Sequence, residues 1–266
     1  MTSDFLSPFA VVTGASSGIG FELAKQFANA GYDLLVTAQS ERINGAAVEL
    51  RALGARVTAV RADLATYEGV ETLYARIKEE RRPVDAIAIN AGVGMGGPFL
   101  ENALDDELNL IQLNVVSVVH LAKRVLRDMV ARDEGRVLFT ASIAAEFPGP
   151  FEAVYAASKA FVLSFAEALR SELKDTRVTI TALQPGATDT NFFQRAGMGD
   201  TKVGAGKKSS AADVARDGFQ AMMKGKDHVV AARTSEKIQV AMGQFIPETF
   251  KADQHRKLAE PGSANF

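Results

Sequence analysis

Short apolar runs rich in β-branched residues alternate with longer amphipathic segments along this chain. The apolar runs are continuous rather than alternating, as expected for strands that helices cover on both faces. They fall at residues 9–13, 33–38, 56–61, 85–90, 136–141 and 178–184. Helical patterns lie between them, at about 18–30, 41–53, 67–81, 103–131 and 152–174. This alternation predicts an α/β fold built on a parallel sheet with right-handed crossovers.

The last third of the chain departs from this regular pattern. Residues 188–210 are rich in Gly, Lys and Ser, and a long irregular segment is typical of a functional lid or a disordered loop. We expect a short helix near 190–195 inside it. After it the pattern predicts a helix at 211–224, a brief strand at 228–231, a helical extension over 235–266 and, from Glu260, a loosely ordered polar tail. The 266 residues are therefore interpreted as one domain with a lid and a C-terminal extension.

Composition and charge exclude several classes of function. With 47% hydrophobic and 23% charged residues, the chain has an ordinary globular composition. A net charge of −2 with dispersed basic residues argues against a nucleic-acid surface. We expect no membrane span and no signal peptide, and therefore a cytoplasmic protein. The absence of cysteine excludes disulfides and thiolate chemistry, and His120, His228 and His255 lack the spacing of metal ligands.

A glycine-rich turn follows the first strand and leads directly into a helical pattern. It reads T-G-A-S-S-G-I-G over residues 13–20. Glycines at such a turn let a pyrophosphate approach the helix N-terminus, where free N–H groups and the helix dipole favour negative charge. A tight turn also needs glycine for conformational reasons alone. The position after the first strand favours dinucleotide binding.

Tyr155 and Lys159 stand four residues apart near the start of a helical pattern. Positions i and i+4 share one helix face, so the phenol and the ammonium can point into one cleft. A free phenol has a pKa of ~10, and a nearby cation lowers that pKa toward the range of a useful base. An isolated Y-x-x-x-K is usually two surface residues. Ser142 favours the functional interpretation, because it follows the fifth strand at the ligand-binding edge of a parallel sheet.

Taken together, these segments resemble the short-chain dehydrogenase/reductase family. The matching residues are, in chain order, the glycine turn at 13–20, Asp63, Asn90-Ala91-Gly92, Asn114, Ser142, Tyr155, Lys159, Pro185-Gly186 and Thr188. Ile89 stands where a first Asn is common in the family. The resemblance covers about residues 9–190, and the C-terminal third is generic.

The resemblance implies a doubly wound Rossmann-type α/β fold with a seven-stranded parallel sheet, and NAD or NADP bound in extended form. It also implies four catalytic residues. Tyr155 would exchange a proton with the carbonyl or alcohol oxygen, to which Ser142 would hydrogen-bond. Lys159 would bind the nicotinamide ribose and lower the pKa of the tyrosine, and Asn114 would hold a water that links Lys159 to solvent. The hydride chemistry belongs to the cofactor.

The same resemblance implies a set of cofactor-binding residues along the sheet edge. They are Gly14, Ser16, Ser17, Gly18, Ile19, Gly20, Gln39, Arg42, Asp63, Asn90, Ala91, Gly92, Tyr155, Lys159, Pro185, Gly186 and Thr188. Three of the catalytic and cofactor-binding assignments have alternatives. Asp63 could cap the helix that follows it, Asn114 could be a buried amide satisfied by backbone, and Asn90 could tie neighbouring strands together.

The end of the second strand bears on the choice between NAD and NADP. An acid there would bind a ribose 2′-OH, whereas an arginine would accept a 2′-phosphate. Ala38 stands at the acid's position, and Gln39 and Ser40 occupy places where NADP-preferring relatives often carry two arginines. Arg42 is near enough to contribute, although it could also face solvent. We therefore favour NADP over NAD.

The loops at the carboxyl edge predict a mostly apolar substrate pocket. Its candidate lining residues are Val93, Met95, Phe99, Ala144, Glu146, Phe147, Phe151, Phe192, Phe193 and Met198. This lining favours a rather hydrophobic ketone, aldehyde or secondary alcohol as the small-molecule partner. Relatives often pair through two long helices, so 103–131 and 152–174 predict a homodimer or homotetramer.

Other functions on the same scaffold are less compatible with the sequence. Epimerases and dehydratases of nucleotide sugars are usually longer and carry a different glycine spacing, and enoyl reductases typically have a longer tyrosine-to-lysine spacing. The remaining alternative is a catalytically silent dinucleotide-binding regulator or scaffold. Such relatives tend to lose the tyrosine or the lysine, and both are present here.

Overall fold

Seven parallel strands form the central sheet of the protein. The computed structural model describes residues 7–243 and 246–265. The strands of the central sheet are β1 (Phe9–Thr13), β2 (Asp33–Ala38), β3 (Val57–Arg61), β4 (Ala86–Ile89), β5 (Gly135–Thr140), β6 (Val178–Pro185) and β9 (His228–Ala231), and β7 (Thr188–Asp189) and β8 (Ser209–Ser210) form a separate pair. The central sheet has the order β3-β2-β1-β4-β5-β6-β9 with every pairing parallel. This confirms the predicted doubly wound α/β fold.

Helices cover both faces of this sheet. They are α1 (Gly18–Asn29), α2 (Arg42–Arg51), α3 (Tyr67–Glu79), α4 (Leu104–Ile111), α5 (Ser117–Ala131), α6 (Ala153–Glu172), α7 (Phe192–Arg195), α8 (Lys202–Ala205), α9 (Ala211–Met223), α10 (Thr234–Gly243) and α11 (Glu248–Ala259). In the part of the chain that the structure describes, no helix is long and apolar enough to cross a lipid bilayer.

The core consists of two layers, one on each face of the sheet. Successive strand residues point to opposite faces, so Val11 and Ile87 pack against one layer while Val12 and Leu34 pack against the other. Helices α3, α5 and α6 supply the first layer, and α1, α2 and α9 supply the second. Because both faces are buried, a ligand can reach the sheet only at the ends of its strands.

The strand order reverses between β1 and β4. From β1 the chain moves outward to β2 and β3 on one side, whereas β4, β5 and β6 follow on the other. The crossovers that leave β1 and β4 therefore diverge, and they open a crevice at the carboxyl ends of these two strands. Open α/β sheets bind their ligands at such a point.

The single helix predicted over 103–131 is wrong in one detail. Gln112–Val116 forms a π-helical turn between α4 and α5, and Asn114 is buried within it. One additional residue per turn shifts the apolar stripe too little to interrupt the helical periodicity. Turns of this kind are frequent at functional sites.

The segment at 188–210 is closed at both ends by a small parallel ladder. Thr188 pairs with Ser209 and Asp189 pairs with Ser210. Between these strands lie α7, which matches the expected short helix, and α8. The segment packs its buried side chains against Ala259 of α11, so the C-terminal helix supports it from outside the main core.

The prediction of a loosely ordered tail from Glu260 is wrong for the residues that the structure describes. The backbone N–H of Gly262 donates to Asp200 Oδ2 at 2.8 Å, and that of Ala264 donates to the Asp200 carbonyl at 2.9 Å. The Ser263 hydroxyl accepts from the backbone N–H of Lys202 at 3.0 Å. These bonds join residues more than 60 apart in sequence, which is why local polarity alone predicted the opposite. The hydrogen bonds to Asp200 and Lys202 hold the tail against the 188–210 segment.

Candidate active site

A cavity of about 730 Å³ follows the carboxyl edge of the sheet across the crevice between β1 and β4. Asp63 and Arg42 line it on the side of β2 and β3, and Ser142 and Tyr155 line it on the side of β5. All of the predicted cofactor-binding residues contribute to its wall. Of the predicted catalytic residues, Asn114 lies outside the wall.

The glycine turn leaves no space for side chains between β1 and α1. A Cβ at Gly14, where φ is +68°, would lie 2.9 Å from the Cα of Ala91. A Cβ at Gly20 would overlap the carbonyl of Gly14 and lie 2.5 Å from Asn90 Nδ2. Ser17 is the N-cap of α1, but its side chain makes no capping hydrogen bond, so the first N–H groups of α1 are not capped by it. The glycine turn and the uncapped N–H groups of α1 are therefore suited to bind the pyrophosphate of a dinucleotide.

Asn90 ties together the three central strands. Its Nδ2 donates to the Thr13 carbonyl of β1 at 3.1 Å, and its Oδ1 accepts from the Thr140 hydroxyl of β5 at 3.1 Å. Thr13 Oγ1 in turn accepts from the backbone N–H groups of Asn90 and Ala91, both at 2.9 Å. The strand-tying interpretation of Asn90 is confirmed, and the residue also faces the cavity.

Asn114 makes three hydrogen bonds behind the cavity wall. Its Oδ1 accepts from the backbone N–H of Val93 at 3.0 Å, and its Nδ2 donates to the Val93 carbonyl at 2.9 Å and to Ser158 Oγ at 3.0 Å. The alternative of a buried amide satisfied largely by backbone therefore describes its contacts. Gly92 stands between Asn114 and the ammonium of Lys159, since a Cβ there would lie 3.1 Å from Asn114 Oδ1 and 3.3 Å from Lys159 Nζ.

Ser142, Tyr155 and Lys159 come together at the β5 end of the cavity, and each is at least nine-tenths buried. Ser142 caps a short 3₁₀ turn after β5, where its Oγ accepts from the backbone N–H of Ala144 at 3.1 Å. Lys159 Nζ donates to the Thr140 carbonyl at 2.9 Å and lies 5.9 Å from the centre of the Tyr155 ring. The one-turn spacing on α6 thus places the phenol and the ammonium in one pocket.

Burial shifts the two titratable groups in opposite directions. It raises the pKa of the Tyr155 phenol well above its ordinary value; the Ser142 hydroxyl opposes this rise and the charge of Glu152 adds to it. It lowers the pKa of the Lys159 ammonium to about 8, since burial disfavours whichever form carries charge. We expected Lys159 to lower the pKa of the tyrosine, but in the protein alone burial raises that pKa instead.

At the other end of the cavity, Asp63 is held by Gln39, another of the predicted cofactor-binding residues. Its Oδ2 accepts from Gln39 Nε2 at 2.9 Å. The alternative that Asp63 caps the next helix is wrong, because the N-cap of α3 is Thr66, whose hydroxyl accepts from the backbone N–H of Gly69. Arg42 lines the cavity at the first turn of α2.

The substrate side of the cavity is mostly apolar but differs in part from the prediction. Among the predicted lining residues, those that face the cavity are Val93, Ala144, Phe147, Phe192 and Phe193. Those that do not are Met95, Phe99, Glu146, Phe151 and Met198. Met198 is buried within the 188–210 segment, and the carboxylate of Glu146 accepts from Gln184 Nε2 at 2.6 Å.

The structure also brings residues to the cavity that the sequence pattern did not indicate. They are, among others, Ile143, Glu152, Arg233, Glu236, Gln239, His255 and Leu258. Glu152 lies three residues before Tyr155, a helical spacing that could have suggested it. Ile143 directly follows Ser142, Arg233 follows β9, and the others come from the C-terminal extension, whose sequence carries no motif.

Comparisons with known proteins agree with this geometry. Residues 8–200 match the family described as short chain dehydrogenase. The 1-deoxy-11-beta-hydroxypentalenate dehydrogenase of Streptomyces exfoliatus is 37% identical over 74% of each chain. A short-chain dehydrogenase/reductase of Burkholderia phymatum, solved with NAD, superposes with a TM-score of 0.82 at 25% identity over 89% of this chain and 92% of that one. A short-chain dehydrogenase of Sphingobium yanoikuyae, solved with NADPH, gives 0.80 at 27% identity over 90% and 93%.

The family match spans most of the chain, and the solved structures share its fold. The protein belongs to the short-chain dehydrogenase family. The match ends at residue 200, so α9, α10 and α11 lie beyond it.

Proposed function

We propose that the protein is an oxidoreductase that transfers a hydride between NADP(H) or NAD(H) and a carbonyl or secondary alcohol substrate. One observation carries the proposal: a single cavity joins the glycine turn at its β1 side to the buried Ser142, Tyr155 and Lys159 at its β5 side. A dinucleotide laid along this edge would bring its nicotinamide end to the phenol. The bound cofactor would supply or accept the hydride.

Tyr155 acts as the general acid and base of this reaction. Its raised pKa keeps the phenol protonated near neutrality, which suits donation of a proton to the oxygen of a carbonyl under reduction. Ser142, at the mouth of the same pocket, orients that oxygen through its hydroxyl. In the oxidative direction the same two groups would take the proton from an alcohol.

Lys159 and Asn114 assist the proton transfer by Tyr155. Lys159 is held by the Thr140 carbonyl with donors left to bind the ribose hydroxyls of the cofactor. Its cation would favour phenolate once the tyrosine gives up its proton. Oδ1 of Asn114 accepts one hydrogen bond and has capacity for a second, so it can hold a water next to Gly92 that returns a proton to Lys159.

The cofactor is proposed to be NADP in preference to NAD. The last residue of β2 is Ala38 rather than an acid, and Arg42 lines the cavity at the adjoining turn. Glu41, the acid nearest to Arg42 in sequence, is already paired with Arg61 at 2.8 Å. A guanidinium at this place would bind a 2′-phosphate through charge-assisted hydrogen bonds.

The substrate is proposed to be rather hydrophobic. Ile143, Ala144 and Phe147 form one wall of the pocket near Ser142, and Phe192 of the 188–210 segment lies 5.3 Å from the Tyr155 ring. Burying a ketone among such side chains is favourable in proportion to its apolar area. We accordingly interpret 188–210 as the substrate lid of a one-domain enzyme, with 235–266 as its extension.

A panel of ketones and aldehydes, followed at the absorbance of the reduced nicotinamide, tests this function. We expect apolar ketones to be reduced, and NADPH to be used with higher kcat/KM than NADH. Arg42→Ala should lower that NADPH preference about tenfold, the size of one lost charge-assisted hydrogen bond. Arg56→Ala, a change to an exposed arginine at the opposite end of the strands, is the control. A clear preference of the wild-type protein for NADH would contradict the NADP assignment.

A further inference from the structure

A buried carboxylate lies one helical turn before Tyr155 and does not take part in the reaction described above. Glu152 is the N-cap of α6, yet its side chain makes no capping hydrogen bond. It is only 6% exposed, and it lines the cavity. A buried carboxylate at a helix start normally accepts from the first free N–H groups, so this one is directed elsewhere.

Helix α11 orients the carboxylate of Glu152. Its Oε2 lies 2.9 Å from His255 Nε2 on α11, across 103 residues of sequence. The preceding residue, Phe151, has a φ of +64°, a region that aromatic residues rarely adopt. The guanidinium of Arg256 lies 5.1 Å from the Phe151 ring, so α11 contacts both residues at this bend.

One oxygen of the carboxylate is left for a ligand. Among the described residues, His255 is the hydrogen-bond partner of Oε2, and none is found for Oε1. Oε1 is also not among the buried polar atoms that lack a partner, which agrees with its access to the cavity. Phe147 and Leu258 are apolar residues of the same lining. Oε1 of Glu152 can therefore accept a hydrogen bond from a ligand in the cavity.

We propose that Glu152, positioned by His255, is a specificity-determining residue that binds a hydroxyl group of the substrate away from its reacting carbonyl. The preferred substrates are then hydroxyketones and the corresponding diols. Glu152 stands three residues before Tyr155 and lines the same cavity, so one small substrate can present its carbonyl to Tyr155 and its hydroxyl to Glu152. This inference rests on the proposed function, since it assumes that the carbonyl lies at Tyr155.

The occupant is a neutral hydroxyl rather than an ammonium. Lys159 supplies a second cation beside Tyr155 in the same pocket, and a substrate cation between these residues would meet its repulsion at low dielectric. Burial of an ammonium also carries a large desolvation cost. A hydroxyl donates one hydrogen bond to the carboxylate without either penalty.

Two ketones of similar shape test the inference. 4-Hydroxycyclohexanone can donate a hydrogen bond to Glu152, whereas 4-methoxycyclohexanone can only accept. We expect the wild-type enzyme to show at least a tenfold higher kcat/KM for the hydroxyketone, and Glu152→Gln to reduce this ratio to within about threefold. The loss of charge beside Tyr155 affects both ketones equally, so the ratio isolates recognition of the hydroxyl. An equal ratio in the wild-type protein and the variant would overturn the inference.

A matched pair of variants tests the role of His255. His255→Gln keeps a donor for Oε2 and should retain most of the ratio, whereas His255→Met removes the donor and should lower it at least threefold. An equal change of the ratio in His255→Gln and His255→Met would overturn the role of His255 in positioning Glu152.

Calorimetric titration of both ketones into protein saturated with oxidised cofactor gives a readout that needs no turnover. A preference for the hydroxyketone that depends on Glu152 there, without reduction of any ketone by the wild-type protein, would contradict the proposed function and leave the hydroxyl site supported. Reduction of ketones with no difference in either assay would overturn the hydroxyl site alone.

Discussion

At the scale of single residues, burial decides how Tyr155 and Lys159 are protonated. Both side chains are more than nine-tenths buried, and the same loss of solvation raises the pKa of one and lowers that of the other. The phenol is therefore kept as a neutral acid, and the amine is moved toward neutrality, where it can gain or lose a proton.

Lys159 is expected to titrate near pH 8 in the protein without cofactor. Its folded-state pKa is lowered to about 8 from 10.5 because burial penalises the cation, so the charge is present below pH 8 and is lost as the pH rises through that value. NMR of protein labelled with ¹³C at the lysine Cε atoms measures this titration, and Lys159→Met assigns the signal. A midpoint near 10.5, like that of the exposed lysines, would show that the site is solvated.

At the scale of elements, most boundaries could be predicted from sequence because the sheet is covered on both faces. Continuous apolar runs and amphipathic helices then alternate without ambiguity, and the strand bounds agree within about one residue. The π-helical turn around Asn114 was missed, since one inserted residue hardly changes the apolar stripe. The order of the tail after Glu260 was missed because its partners, Asp200 and Lys202, are distant in sequence.

Two helical glycines should respond oppositely to the same substitution. Alanine favours a helix interior over glycine by up to ~1 kcal/mol, and at Gly45 of α2 a new Cβ meets no atom within 4 Å. Gly45→Ala should therefore raise the free energy of unfolding by about 0.5–1 kcal/mol. At Gly20 the Cβ would overlap the Gly14 carbonyl, and overpacking typically costs about 1–3 kcal/mol.

Urea denaturation of both variants measures these effects, and fluorescence titration with NADPH measures cofactor binding. Gly20→Ala should lower the free energy of unfolding and weaken binding of the cofactor, whereas Gly45→Ala should leave binding as it is. Equal stability of the two variants would refute the close approach at the glycine turn.

At the scale of the whole molecule, the part of the candidate site that consists of local motifs could be predicted from the sequence. The part that depends on contacts between distant segments could not. The glycine turn, Ser142, Tyr155 and Lys159 carry local patterns, and the sheet order brings them to one cavity. The contact between Glu152 and His255 joins segments 103 residues apart. No periodicity or spacing indicates such a pair, so only the packing of α11 reveals it.

Self-association is expected through the face formed by α4, α5 and α6. Large apolar side chains are exposed there, namely Leu104, Leu108, Val116, Val119 and Phe161, and a patch of this kind marks an interaction surface. The wild-type protein should sediment as a dimer or tetramer, and the double change Leu108→Glu with Val116→Glu should shift it toward monomer. Val48→Glu, at an exposed apolar residue of α2 outside this face, should leave the assembly intact. A wild-type monomer at tens of micromolar would refute the interface.

The central claim is that Tyr155 moves the proton that accompanies hydride transfer, and Tyr155→Phe tests it most directly because it removes only the phenolic oxygen. Steady-state reduction of a ketone turned over by the wild-type protein should fall about 10²–10⁴-fold in kcat/KM, the usual contribution of a general acid. Binding of NADPH, measured separately by titration, should change by less than about threefold. Undiminished turnover by Tyr155→Phe would contradict the account.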